Sequence, residues 1–343
     1  MDVFCLVKSC SKNKKYQVEK AEMKKYYFFI GLVGIAFIIS AFYQLKILTE
    51  RHSSFLPPAG EHLEPQKTHF KVAFFSDSSL KENPMEEIIG KISKSGNEFT
   101  IFCGDIAEQR SFNGFAHLNY EMSEKLTIPL YAIPGNHDTD VDGGGGLKLF
   151  HQFFGQDRYY FSYGDTIFIG LNTSHFNFSE ENKKWLASLL KKERQHYKRC
   201  VIYCHIPPVD LRPGKKYCLP EEDADRFYDA IKDHSVSMII SGHIHQYLYG
   251  KFHDVDLLIL PPSGQRPRTK EKTPYGYVQL FFNDNGTITH QAILDTYTQG
   301  REYFEYYFSI YNSLILWLGI IFIIFSGIMI YRQFNFFHRN KTN

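Results

Sequence analysis

Two long uncharged apolar runs lie near the ends of this chain, and any fold must be built around them. The first, Tyr26 to Leu45, reads YYFFIGLVGIAFIISAFYQL; the second, Ser313 to Tyr331, reads SLILWLGIIFIIFSGIMIY. A helix needs about 20 apolar residues to cross the hydrocarbon layer, so both runs are of spanning length. Trp317 and Tyr331 stand where amphipathic rings favour the membrane interface. A cleaved signal peptide accounts poorly for the first run, because the cationic region before it is long and no small-x-small cleavage site follows.

Lys8, Lys12, Lys14, Lys15, Lys20, Lys24 and Lys25 precede the first run, whereas only Lys46 and Arg51 follow it closely. After the second run come Arg332, Arg339 and Lys341, while Arg301 before it is offset by Glu302 and Glu305. Lys and Arg accumulate on the cytoplasmic side of spanning helices. An integral membrane protein with both termini in the cytosol is therefore expected. Residues from about 52 to 305 would lie outside, in a periplasmic, lumenal or extracellular compartment. The expected layout is a basic tail at 1–25, spans at 26–45 and 313–331, linkers at 46–69 and 296–312, a folded domain at 70–295 and a cytosolic tail at 332–343. Pro57, Pro58 and Pro65 make the first linker an extended stalk. A net formal charge of +2 over 343 residues gives no sign of a nucleic-acid binder. Cys103, Cys200, Cys204 and Cys218 lack zinc-site spacing; Cys103 and Cys204 read as small buried residues, and a Cys204 to Cys218 disulfide is one arrangement open to them.

Between the spans, apolar runs of strand length recur: FKVAFFS from Phe70, FTIFC from Phe99, IPLYAI from Ile128, TIFIGL from Thr166, CVIYC from Cys200, VSMII from Val236 and DLLIL from Asp256. Helical patterns lie between several of them. From Glu180 to Arg194, Trp185, Leu186, Leu189 and Leu190 share a face, with Glu180 and Glu181 at the start and Lys191 and Lys192 at the end to suit the helix dipole. Strands alternating with helices predict an α/β layered domain.

Polar side chains suited to metals fall at the ends of these strands. Asp77 ends the first run, and Asp105 and Glu108 follow the second in IFCGDIAE. Asn136, His137 and Asp138 follow the third in YAIPGNHD, His205 follows CVIYC, and His243 and His245 follow MIIS in GHIHQ. Taken singly, an Asp after a strand is ordinary turn chemistry. Taken together, carboxylates, imidazoles and an amide oxygen converging on one rim of a sheet are what a pair of divalent cations requires. No GxSxG or P-loop sequence competes for the chemistry.

The ordered set D…GDxxE…GNHD…H…GHxH resembles the calcineurin-like metallophosphoesterase family over roughly residues 70 to 295. It looks most like the small bacterial-type phosphodiesterases, which also carry a WL-containing helix like that at Trp185. The resemblance implies β-sheets flanked by helices and a metal-dependent hydrolase of phosphomonoesters or phosphodiesters. It implies that Asp105 bridges two divalent ions of Mn, Fe, Zn or Mg type, that Asp77 and His245 hold the first, and that Asn136, His205 and His243 hold the second. It further implies that His137 protonates the leaving oxygen and that Glu108 orients His137. Asp138 is expected to support its turn. Two cations so placed lower the pKa of a shared water that attacks phosphorus directly.

One position departs from the pattern. The family's DxH is Asp77-Ser78-Ser79 here, and a hydroxyl is a poorer transition-metal ligand than imidazole. The first ion is therefore expected to be held more weakly, with Asp140 and Asp142 either substituting or framing the substrate pocket. The same departure allows a second function, a weakened pseudoenzyme acting as a membrane receptor or scaffold, against which the retained His137 speaks. The expected partner is a phosphate-ester substrate; membrane anchorage makes lipid-linked esters attractive, and free nucleotides are equally allowed.

Overall fold

The computed structural model describes residues 22–43, 60–64, 66–78, 84–106, 112–139, 146–265, 274–295 and 311–339. The chain divides into two compact units, residues 1–47 with 308–343, and residues 48–307. In chain order the elements are α1 (Glu22–Tyr43), β1 (His62–Leu63), β2 (Phe70–Phe75), α2 (Met85–Lys94), β3 (Phe99–Cys103), α3 (Phe112–Lys125), β4 (Leu130–Ile133), α4 (Gly146–Phe154), β5 (Tyr159–Tyr163), β6 (Thr166–Leu171), α5 (Glu180–Glu193), β7 (Arg199–Cys204), α6 (Glu221–Ile231), β8 (Met238–Ser241), β9 (Leu248–Phe252), β10 (Val255–Ile259), β11 (Tyr275–Phe282), β12 (Ile288–Asp295) and α7 (Asn312–Arg339).

The larger unit is built on two sheets, ordered β1-β5-β6-β7-β8-β10-β9 and β12-β11-β2-β3-β4. Successive strand residues point to opposite faces. Phe70, Val72 and Phe74 of β2 and Phe99, Ile101 and Cys103 of β3 accordingly share one apolar cluster with Phe161, Phe168, Val201, Tyr203, Ile240 and Leu258 of the other sheet. The sheets thus pack face to face. On the far side of the larger sheet, Ile167, Ile169, Ile202 and Ile239 are covered by Leu186 and Leu190 of α5 and Phe227 and Ile231 of α6. Burial on both faces is why these strands read as continuous apolar runs. Ser179 caps α5 by accepting a hydrogen bond from the Asn182 backbone N–H.

Strands β2, β3 and β4 run parallel, as do β6, β7, β8 and β10. Their carboxyl ends therefore open on a common edge of each sheet, the place where open α/β sheets bind ligands. A bridge between Ser76 and Pro262 ties the two sheets together there. At the other flank, His62 and Leu63 pair with Ser162 and Tyr163 of β5, so the fold recruits residues expected to lie in the 46–69 linker.

Taken by itself, the smaller unit is an antiparallel helix pair. Ser326 Oγ donates to the Tyr27 carbonyl at 2.6 Å. Gly34 and Gly319 approach so closely that a Cβ on either would sit 2.8 Å from the other's carbonyl oxygen, the small-residue contact that lets helix backbones meet. Phe28, Phe29, Ile39, Trp317 and Ile324 are exposed, the reverse of a core helix. Two helices, Glu22–Tyr43 and Leu314–Arg332, are long and apolar enough to cross a membrane.

Candidate metal centre

Five of the expected ligands converge in two groups. Asp105, His205 and His243 form one; Asp77, Asp105 and His245 form the other, and within each group one donor atom per residue lies within 4.8 Å of the rest. All five residues are buried, and Asp105 belongs to both groups. The sixth, Asn136, brings Oδ1 to 3.2 Å from His205 Nε2.

The turns that present these side chains are strained. Asp77, Asp105, His243 and His245 have φ of 55°, 57°, 69° and 55°, the left-handed region that non-glycine residues enter only where surrounding structure enforces it. The enforcing contacts are visible. Asp77 donates its backbone N–H to Gly104, and its carboxylate accepts from Ser76 Oγ at 2.6 Å and from the His243 backbone N–H. The Asp138 carboxylate accepts from the backbone N–H groups of Ile106 and Gly135, each at 2.8 Å, and so clamps the GNHD turn onto the GD turn. Ile244 N–H donates to the Gly242 carbonyl at 2.8 Å, a tight turn that sends the two imidazoles of GHIH into different groups. Gly135 is obligatory for closeness: a Cβ there would lie 2.3 Å from Asp105 Oδ1.

The family model for calcineurin-like phosphoesterases matches residues 70–247. This chain belongs to the calcineurin-like phosphoesterase family. It is 25% identical over 218 residues to a probable cyclic nucleotide phosphodiesterase of Vesicomyosocius okutanii, covering 61% of this chain and 88% of that one. Over 186 residues it is 22% identical to the human serine/threonine-protein phosphatase CPPED1, covering 49% of this chain and 59% of that one. Its fold is similar to that of a purple acid phosphatase from yellow lupin, with a TM-score of 0.55 and 14% identity over 68% of this chain and 53% of that chain. The phosphoesterase therefore spans little more than half the length of the human and lupin proteins. It is a metal-dependent phosphoric ester hydrolase by family. Its donor set, carboxylates and imidazoles with one carboxylate common to two groups, fits a dinuclear divalent centre.

Electrostatics among these side chains are dominated by charge pairs in a buried space. His205 donates Nδ1–H to the Cys103 carbonyl at 2.8 Å, which aims Nε2 at Asp105 Oδ1, 3.3 Å away. Burial pulls the His205 pKa down, but Asp105 outweighs it and the value is pushed up to about 9. Burial likewise opposes the charge of Asp105, yet His205 and then His137 hold its carboxyl well below the usual range. Asp77 is lowered against the same penalty by His245, 3.2 Å away.

His137 stands apart from both groups. Its backbone N–H donates to Asp105 Oδ1 at 2.8 Å, while its half-exposed ring keeps Nε2 3.9 Å from Asp105 Oδ2. Glu108, Ser79, Asp140 and Asp142 lie outside the described residues. Of the arrangements open to the cysteines, the structure takes the one without a disulfide: Cys103, Cys200, Cys204 and Cys218 are free, and buried Cys204 Sγ–H donates to the Ile206 carbonyl.

Several contributors carry no metal-binding signature in the sequence. Tyr217 stacks on His243 at 4.4 Å and 5°, and Phe176 meets the same ring edge-on at 5.1 Å. Asp210 positions Tyr217 by accepting its backbone N–H at 3.0 Å while pairing with Arg212. Gln265 places Nε2 3.4 Å from Asp105 Oδ2.

Proposed function

We propose that this phosphoesterase is membrane-anchored and hydrolyses a phosphate ester outside the cytosol with metal-activated water. The observation that carries this reading is the sharing of Asp105 between two buried carboxylate and imidazole groups. Asp77 and His245 would hold a first cation, Asn136, His205 and His243 a second, and Asp105 would reach both. Two cations so held supply a water of lowered pKa and neutralise charge on the phosphate. His137, with its ring at the open side of the groups, donates a proton to the leaving oxygen. Glu108 is assigned to orient it.

A diester substrate is favoured by a relative covered over 88% of its length, which is named a probable cyclic nucleotide phosphodiesterase. The half-exposed rings of Phe176 and Tyr217 beside His243 suit an organic substituent on the phosphate. Anchorage is supported by the outward apolar faces of α1 and α7, and the basic segment before α1 favours cytosolic termini. Anchorage makes lipid-linked esters attractive substrates, and free nucleotides are equally allowed.

The test uses the full chain in detergent, stripped of metal and reloaded with Mn²⁺ or Zn²⁺, against bis(4-nitrophenyl) phosphate and 4-nitrophenyl phosphate. Metal-dependent hydrolysis that Asp105→Asn abolishes supports the reading. A fully metal-loaded chain that turns over neither ester, nor a wider panel of esters, refutes it in favour of a receptor or scaffold.

A further inference from the structure

We propose that Gln265 supplies the side-chain oxygen that completes the first cation's protein ligands, where the family pattern has an imidazole and this chain has Ser79. The inference rests on the two-metal reading above. Asp105 Oδ1 faces the second group, 3.3 Å from His205 Nε2, and Oδ2 faces Gln265 Nε2 at 3.4 Å and His137 Nε2 at 3.9 Å. A carboxylate can offer one oxygen to each of two cations; Oδ1 is the oxygen nearest His205, Oδ2 is the one beside Gln265, and Asp105 is a member of the group with Asp77 and His245.

The loop after β10 is built to hold Gln265 there. The backbone N–H groups of Ser263, Gly264 and Gln265 all donate to the Asp77 carbonyl, at 3.2, 3.0 and 2.9 Å. Gln265 has only 8% exposure at the residue level, so its amide is committed to this space rather than to solvent. The two groups are also unequal without it. Asp105, His205 and His243 have the Asn136 amide beside them, whereas Asp77, Asp105 and His245 have no fourth donor among the described residues that the family pattern supplies. Divalent transition metals take at least four ligands, of which a catalytic site can leave one to water, so a fourth protein donor would tighten the group of Asp77, Asp105 and His245. A glutamine amide is the same donor as Asn136 with one more methylene. The amide here turns its NH₂ to Oδ2; the final side-chain torsion is broad and roughly two-fold, so a half-turn presents Oε1 to a cation instead.

The competing role for Gln265 is a simple hydrogen-bond donor to Asp105, and substitution separates the two. Mn²⁺ is titrated calorimetrically into the stripped full chain, with electron paramagnetic resonance to distinguish coupled pairs from single ions. Gln265→Leu should weaken one site by about 10- to 100-fold, the usual loss when a ligand or its support is removed, while the other site stays intact and reports a folded protein. Gln265→Glu should tighten the weaker site, because an anionic oxygen replaces a neutral one. A mere donor would give the reverse, since the introduced carboxylate would repel Asp105 and weaken both sites. Adding Ser79→His to Gln265→Leu should restore two-ion binding. Wild type binding a single Mn²⁺ overturns the two-metal reading and this assignment with it; two sites untouched by Gln265→Leu overturn this assignment alone.

Discussion

Loading the stripped protein with a cation at pH 7 should release close to one proton, and the donor should be His205. Its Nδ1 hydrogen is committed to the Cys103 carbonyl at 2.8 Å, so the nitrogen left for a metal is Nε2, where the second proton sits against Asp105. Burial works against that proton, but Asp105 outweighs burial and moves the pKa from 6.5 up to about 9. At pH 7 about 99% of such a group is protonated, and metal must displace the proton. Affinity at this site should therefore climb roughly tenfold per pH unit below about pH 9 and flatten above it. The stripped protein should show the opposite trend in stability. A folded-state pKa raised above the unfolded value contributes stability that is complete below about pH 6.5 and is lost as pH rises through about 9. Calorimetry in two buffers of different ionisation enthalpy counts the protons, and thermal melts of the stripped protein across the same window follow the stability. Affinity that flattens already above pH 6.5, with no proton released at pH 7, would refute the reasoning and leave His205 an ordinary neutral imidazole.

His137→Ala should lower turnover by roughly 10² to 10⁴ with two cations still bound, because its ring belongs to neither donor group; metal analysis that finds a cation missing makes His137 a ligand. Asn136→Ala should weaken one site by about 10- to 100-fold in a metal titration, and an unchanged isotherm removes Asn136 from the ligands. Gly135→Ala drives a Cβ to 2.3 Å from Asp105 Oδ1 and should destabilise the stripped protein by about 1–3 kcal/mol in urea unfolding, so an unshifted midpoint contradicts the packing described. Protease added to intact cells should cut between residues 52 and 305 and spare both tails, and a protected middle reverses the topology.

All seven strands legible in the sequence are interior to their sheets or buried on both faces, where apolar content alone betrays them. Of the others, β5 and β11 are also interior and mostly buried, but Ser162 in YYFSY and Gly276 and Gln279 in YGYVQLFF interrupt their apolar runs. β12 is an edge strand alternating half-buried and exposed residues, and β9 is an edge strand in which Tyr249 and Lys251 face solvent. The signal for the β11–β12 hairpin was present in Asn283-Asp284-Asn285-Gly286, where Gly286 takes φ 86° and Asn283 N–H donates to Thr287. β1 is two residues long and exists only because β5 offers a parallel neighbour. The α5 prediction ran one residue past the observed end, where the chain tightens into a single 3₁₀ turn at Arg194–His196.

The candidate ligands were readable because each sits directly after an apolar strand, but what holds them was not, because it comes from elsewhere in the chain. Asp77 is left-handed through contacts with Gly104, His243 and the loop at 263–265, and Asp138 reaches across to the Ile106 backbone. None of these partners is near its client in sequence. Gln265 is hidden for the same reason: PPSGQ reads as a turn until the bridge from Pro262 to Ser76 lays that turn over Asp77. A site whose strained turns are enforced by contacts between the two sheets is coupled to the packing of those sheets. Any cation bound to it then stabilises the fold by binding the native state alone, so metal should raise the melting temperature even of a His137→Ala protein that has lost turnover.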